Sequence, residues 1–223
     1  MKEMTPSDSE EEGPHMKDRL LEQPKWHVYA SCAASTHTPN PVYTMEMFMT
    51  SLDRDKASIL YKTSSSSATL VTEDSGIRNI LPNSKICGFE FDPCGYFMYA
   101  IEGLVVSTIH ITPEHGFSYA KFRAVGYDPN SVSLDRLVVR VLNCFEPKEL
   151  SIALQANFAS KLLEKTSSVD VKGYCLEERT CEYLGMDGSI VYQKFVKNQS
   201  CESLRSVPKS CWKEEEKEEK EYE

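Results

Sequence analysis

Several things are scarce in this chain, and each scarcity narrows the reading. No run of about eighteen apolar residues occurs, so no membrane-crossing helix is expected and a membrane is not an expected partner. Basic charge is outnumbered: 25 Lys and Arg stand against 34 Asp and Glu, a formal net charge of −9. Phosphate backbones need a basic face, so nucleic acid is not an expected partner either. The eight cysteines, at 32, 87, 94, 144, 175, 181, 201 and 211, form no C-x-x-C and have no paired histidines beside them. That spacing supports neither a zinc site nor a redox dithiol, and no metal is expected. The opening MKEMTPSDSEEEG has no apolar core and is too acidic for a secretion or organelle leader. Reduced thiols and a cytosolic location are the expectation.

What is present begins with two acidic ends. Residues 1–22 hold seven acids and three bases, and residues 213–223 hold seven Glu and three Lys. The stretch between them is close to neutral. The expected division is a disordered acidic leader over 1–23, a folded domain over 24–197 and a disordered acidic tail over 198–223.

Within the folded stretch, WHVYASC (Trp26 to Cys32) and Val42 to Met49 read as strands. Glu46 falls among methionines on the second; it is either buried with a partner or exposed on an edge strand. Ser51 is placed to cap a helix running to about Lys62, with Leu52, Ile59 and Leu60 inward. Ser64 to Ser67 reads as a low-complexity loop, and Ser75 to Leu81 as a short helical turn stopped by Pro82. The clearest helix opens at Ser131 or Ser133. Leu134, Leu137, Val138, Val141, Leu142 and Phe145 share one face, and Pro147 ends it. Leu150 to Phe158 and Ser189 to Val196 alternate as further strands, the latter after a turn at Met186-Asp187-Gly188. The expected class is α+β: an antiparallel sheet with helices on one face.

The organising stretch is Cys87 to Tyr119, which reads as three strands and two tight turns. Asp92-Pro93 ends the first strand, because proline removes a ladder donor and moves its predecessor out of the helical region. Gly95 completes that turn. After Val105, Ser107, Ile109 and Ile111 point one way and Val106, Thr108 and His110 the other. Phe91, His110 and Glu114 thus come to strand ends as an aromatic, an ionisable ring and a carboxylate. Phe117 to Ala124 continues as another strand.

These blocks carry a resemblance. FDPCGY, STIHITPE and GFSYA, flanked in order by KWHVYA, PVYTMEM, LDRDKASILYK, SGIRNILP, NCFEPKEL, SVDVKGYC and YLGMDGSIVYQKFVK, resemble the S-adenosylmethionine decarboxylase proenzymes, especially the plant type. The similarity runs from about Pro24 to Lys197. It implies half of a four-layer α/β/β/α sandwich: Pro41 to Lys197 as the C-terminal half, WHVYASC as the last strand of the N-terminal half, and the rest of that half missing. It implies decarboxylation of S-adenosylmethionine for spermidine and spermine synthesis, with a pyruvoyl electron sink made by self-cleavage at Glu-Ser-Ser. Phe91 then matches the aromatic that stacks on adenine, Glu114 the carboxylate that accepts the ribose hydroxyls, and His110 the base that assists self-cleavage.

The departures matter as much. No Glu-Ser-Ser occurs, and the four serines from Ser64 do not match that motif. The proton-donor cysteine belongs to the missing half and is not Cys94. Phe97 stands where the family has a processing serine, and Arg123 where relatives carry an acid, which suggests relaxed constraint. The expectation is a chain inactive by itself. The alternative is a non-catalytic regulatory partner that pairs with a full-length homologue, or with itself, through an uncovered sheet.

Overall fold

A computed structural model describes residues 42–61, 67–127, 133–157, 169–184 and 188–198, all within the unit Cys32–Glu223. The WHVYASC strand, Ser64 to Ser66, Phe158, Met186-Asp187 and both acidic ends lie outside the described residues.

Among the described residues eight strands form one antiparallel sheet: β1 (Tyr43–Thr50), β2 (Lys85–Glu90), β3 (Tyr96–Glu102), β4 (Val105–Thr112), β5 (Tyr119–Tyr127), β6 (Glu149–Ala156), β7 (Tyr174–Tyr183) and β8 (Ser189–Lys197). Their order across the sheet is β2-β3-β4-β5-β1-β6-β8-β7, so β1 is central. Helices α1 (Arg54–Ser58), α2 (Ala68–Asp74) and α3 (Leu134–Phe145) and a 3-10 turn (Ile77–Asn79) accompany it among the described residues. The expected α+β class holds.

Alternation builds the core. Met45, Met47 and Met49 of β1 are fully buried, opposite Ala124, Phe122 and Ala120 on β5 and Leu154, Ile152 and Leu150 on β6. Tyr96 and Met98, Ile109 and Ile111, and Val191 and Phe195 extend this face along β3, β4 and β8. The apolar stripe of α3 closes over it, with Leu137, Val138, Val141 and Phe145 in the same cluster. The left-handed Glu146 (φ 41°) then ends α3 just before Pro147.

Four local readings need correction. Helix α1 is capped by Asp53 rather than Ser51, its carboxylate accepting from the N–H groups of Asp55 (3.0 Å) and Lys56 (3.1 Å). Ser51 is left-handed (φ 53°), and α1 stops at Ser58 rather than reaching Lys62. Helix α2, unanticipated, begins at the end of the serine run, where Ser67 caps it by accepting from Leu70 N–H (3.4 Å). Strand β7 was also missed, because YCLEERTCEY is an almost wholly exposed edge strand with no alternation to read. The strand placed at Phe117 begins instead at Tyr119, and Phe117 sits in the turn before it.

One cross-layer link holds the β2–β3 hairpin to α2. The Tyr96 hydroxyl shares a 2.6 Å hydrogen bond with Thr72. Its ring passes over Gly88, where a Cβ would lie 2.6 Å from that hydroxyl oxygen. Glycine at this point in β2 is therefore a packing requirement.

Candidate functional site

The FDPCGY turn is built tightly. The Phe91 N–H donates to the Gly95 carbonyl (3.0 Å) around a cis Asp92–Pro93 peptide, with Gly95 at φ 122°. A Cβ on Gly95 would sit 3.3 Å from the Ile111 carbonyl oxygen and 3.4 Å from the Phe91 ring. The turn therefore lies directly on the end of β4 and steers Phe91 towards it. The segment after α1 straps it down: Gly95 N–H donates to the Leu60 carbonyl (3.4 Å) and Tyr61 bridges to Cys94.

His110 emerges from β4 on the face away from α3, opposite Phe97 on β3 and Lys121 on β5. The Phe91 and His110 rings lie 6.5 Å apart, tilted by 37°. Phe97 meets the imidazole edge-on at 6.1 Å. Phe89 continues the row, 6.3 Å from Phe97 and 6.1 Å from Tyr99. Phe91 and His110 are thus brought together, while Glu114 stands on the β4–β5 turn, its backbone carbonyl accepting from Phe117 N–H (3.1 Å) and its carboxylate in no hydrogen bond or ion pair among the described residues. Its carboxylate is felt by Cys94. Burial pushes that thiol up from its ordinary value, and the charge of Glu114 adds to the effect.

Behind this turn the helix side holds a cleft of about 770 Å³ lined by Ser51, Asp53, Arg54, Tyr61, Pro113 and His115, among others. Neither Phe91 nor His110 lines it. The Tyr61 hydroxyl donates to the Pro113 carbonyl (3.2 Å), and Ser118 Oγ accepts from Leu52 N–H (2.9 Å). The turn carrying Glu114 is thereby held from beneath by residues far away in sequence, which no periodicity signals.

Glu46 and Arg123 resolve each other. Glu46 Oε1 lies 3.0 Å from Arg123 Nε and 3.2 Å from Lys121 Nζ, on the face away from α3. Lys121 also sits over the Phe48 ring at 4.7 Å. Glu46 is the partnered carboxylate of the two alternatives, and Arg123 has a counter-ion. Among the described residues, no cluster of three or more His, Cys, Asp or Glu is arranged to hold a metal.

Comparison with known proteins adds the following. Residues 12–196 match the family described as adenosylmethionine decarboxylase. Over 201 residues the chain is 75% identical to the S-adenosylmethionine decarboxylase proenzyme of Daucus carota, a stretch that is 90% of this chain and 56% of that one. The protein of the same name from Solanum chilense is 62% identical over 197 residues, 88% of this chain and 55% of that one. The chain therefore spans about half the length of the curated relatives it matches. Among solved structures, the Trypanosoma brucei AdoMetDC-delta26 monomer is similar with a TM-score of 0.60 at 22% identity, over 70% of this chain and 65% of that one. That is a likeness of fold.

Proposed function

Because the chain belongs to the adenosylmethionine decarboxylase family, as a C-terminal portion of its proenzymes, we propose that it carries the nucleoside-binding side of an S-adenosylmethionine decarboxylase site and has no turnover by itself. The reaction served is the supply of decarboxylated S-adenosylmethionine for spermidine and spermine synthesis, in the cytosol. One observation supports this most: Phe91, 47% exposed, lies with its ring 6.5 Å from His110. A flat, accessible ring suits stacking on adenine, with its π face towards a sulfonium. The Glu114 carboxylate, in no hydrogen bond or ion pair among the described residues, suits a pair of ribose hydroxyls, because two oxygens accept two hydrogen bonds at once.

In the family a pyruvoyl group supplies the electron sink for decarboxylation. The residues at this site do not fit the making of that group. Phe91, Cys94, His110 and Glu114 include no serine, and the 223 residues contain no Glu-Ser-Ser. The base that His110 would be in self-cleavage has no substrate peptide within this chain, and the Phe97 ring beside it neither donates nor accepts a hydrogen bond. What these residues do by themselves is bind and orient.

The test is carbon dioxide release from carboxyl-labelled S-adenosylmethionine by the purified chain. No release is expected, and sustained release overturns the account. Calorimetry with the same ligand should show weak binding that Phe91→Ala and Glu114→Gln abolish, since these two side chains make the adenine and ribose contacts.

A second reading is supported by the exposed aromatic row: a non-catalytic partner that pairs with a full-length homologue and alters its rate. Turnover of a complete decarboxylase with and without this chain distinguishes the two readings, and an unchanged rate counts against the second.

A further inference from the structure

The cleft on the helix side of the Glu114 turn is separate from the nucleoside face, since neither Phe91 nor His110 lines it. Backbone hydrogen bonds fix its frame. Lys148 N–H donates to the Thr50 and Ser51 carbonyls (3.1 and 3.0 Å), and Asp53 N–H to the Phe145 carbonyl (3.0 Å). Lys197 N–H donates in turn to the Lys148 carbonyl (2.8 Å). Leu52, Ala57 and Pro113, all buried, give the cleft apolar walls. At about 770 Å³ it has the size of a small-molecule site. Its two acids are already engaged. The Asp53 carboxylate accepts from two N–H groups of α1, and Glu146 holds Lys56 at 4.0 Å and Lys197 at 3.5 Å. Arg54 and Lys148, exposed at the same cleft, have no side-chain ion pair or hydrogen bond among the described residues. In a chain with 34 acids against 25 bases, two unmatched cations beside apolar walls point to an anion with an apolar body.

We propose that this cleft binds a phosphate monoester of a small apolar or aromatic body, and that the bound phosphate loosens the turn carrying Glu114. Two unmatched cations suit the two charges of such an ester better than the single charge of a carboxylate. Arg54 offers it a guanidinium fork and Lys148 an ammonium. The Tyr61 hydroxyl connects the cleft to the turn. It has one proton, which goes to the Pro113 carbonyl at 3.2 Å. A phosphate oxygen, being charged, is the stronger acceptor and draws that proton away from the carbonyl. The two ends of the turn are held unequally. After it, Ser118 is fixed twice, its carbonyl by Ser51 N–H (3.0 Å) and its Oγ by Leu52 N–H (2.9 Å). Before it, Pro113 is tied to the cleft through the Tyr61 hydroxyl. Between the two, Gly116 stands at φ 87°, where a Cβ would meet nothing within 4 Å. Once the Tyr61 bond is lost, Glu114 is free to move and nucleoside affinity falls. The binding stands on the cleft alone; its effect on affinity rests on the nucleoside role given to Glu114.

The experiment titrates the full chain with phenyl phosphate, with benzoate as the singly charged analogue and inorganic phosphate as the anion without an apolar body. Saturable one-to-one binding of phenyl phosphate is expected, about tenfold tighter than that of either comparison anion. Arg54→Ala and Lys148→Ala should each weaken it by about tenfold, whereas Lys85→Ala on edge strand β2 should change nothing. Arg54 and Lys148 are both exposed, so these variants should fold. Amide hydrogen exchange reads the turn directly. Phenyl phosphate should speed exchange at the Phe117 N–H, which donates to the Glu114 carbonyl (3.1 Å). Tyr61→Phe should keep the binding, show the faster exchange without ligand, and lose the response. Absence of saturable binding overturns the proposal, as does binding indifferent to both cation variants. Binding that leaves the Phe117 exchange unchanged overturns it as well. A chain that meets these expectations but does not bind S-adenosylmethionine leaves the phosphate site standing and counts against the nucleoside reading, so the two failures are separable.

Discussion

Gly126 shows how a single residue joins two turns. It lies in β5 at φ 79°, and a Cβ there would stand 2.6 Å from the backbone carbonyl oxygen of Leu104, in the β3–β4 turn. Neither atom belongs to a flexible side chain, so the backbone itself must shift. Gly126→Ala is expected to destabilise the fold by about 2–4 kcal/mol, combining left-handed strain with a steric clash. Urea unfolding checks this as a lowered midpoint at unchanged slope. Such a requirement leaves no trace in the local sequence, where Gly126 reads as one more small residue. Phe91 and His110 were legible because alternation and turn chemistry fix where a strand residue points. The partners of Glu46 were not, since pairing β1 with β5 joins segments more than seventy residues apart.

Among the elements, the short helices were the hardest to read, because little besides capping defines them. Ser51 and Asp53 both suit a cap in LDRDKAS. The chain uses the aspartate, whose ionised oxygen accepts two N–H groups and favours the positive end of the helix, while Ser51 is taken up in a left-handed corner. Asp53→Ala should cost about 1 kcal/mol, and Ser51→Gly should be neutral or stabilising because it relieves that corner. Thermal melts of both variants decide which residue caps α1, and a larger loss from Ser51→Gly would reverse the assignment. By contrast α3 was legible almost to the residue, since six apolar side chains on one face have a single helical solution. Strand β7 shows the opposite limit: an exposed edge held by its ladder to β8 carries no hydrophobic period at all.

For the molecule as a whole, the buried Cys144 thiol and the partly buried Tyr174 phenol set a pH boundary. Burial pushes Tyr174 up to about 12, helped by the charge of Glu146, and burial likewise pushes Cys144 up to about 12 against the opposing pull of Lys56. Both are neutral when protonated, and both hold their proton more tightly folded than unfolded. Their contribution is complete below the ordinary values of 9.0 for the thiol and 10.0 for the phenol. It is lost as pH rises from there through about 12, because the unfolded chain releases these protons first. Melting temperatures should therefore be flat from neutral to mildly alkaline pH and fall steeply above it. Tyr174→Phe should flatten the fall while giving up the 2.7 Å hydrogen bond to the Pro147 carbonyl. An alkaline slope identical to that of the parent chain would exclude Tyr174 as a contributor.

The central place of β1 has a consequence for how the molecule is made. Its two neighbours, β5 and β6, end at Tyr127 and Ala156, so β1 emerges before every other described strand and gains its second neighbour only once β6 is complete. At the usual ~5–20 residues per second of translation, MEMFM waits roughly 5–20 s after emergence before β6 exists to complete its pairing. During that interval Met45, Met47 and Met49, fully buried in the finished fold, belong to a nascent segment open to chaperones. Yield in a cell should therefore depend on how well this one segment is shielded as well as on the stability of the finished sheet.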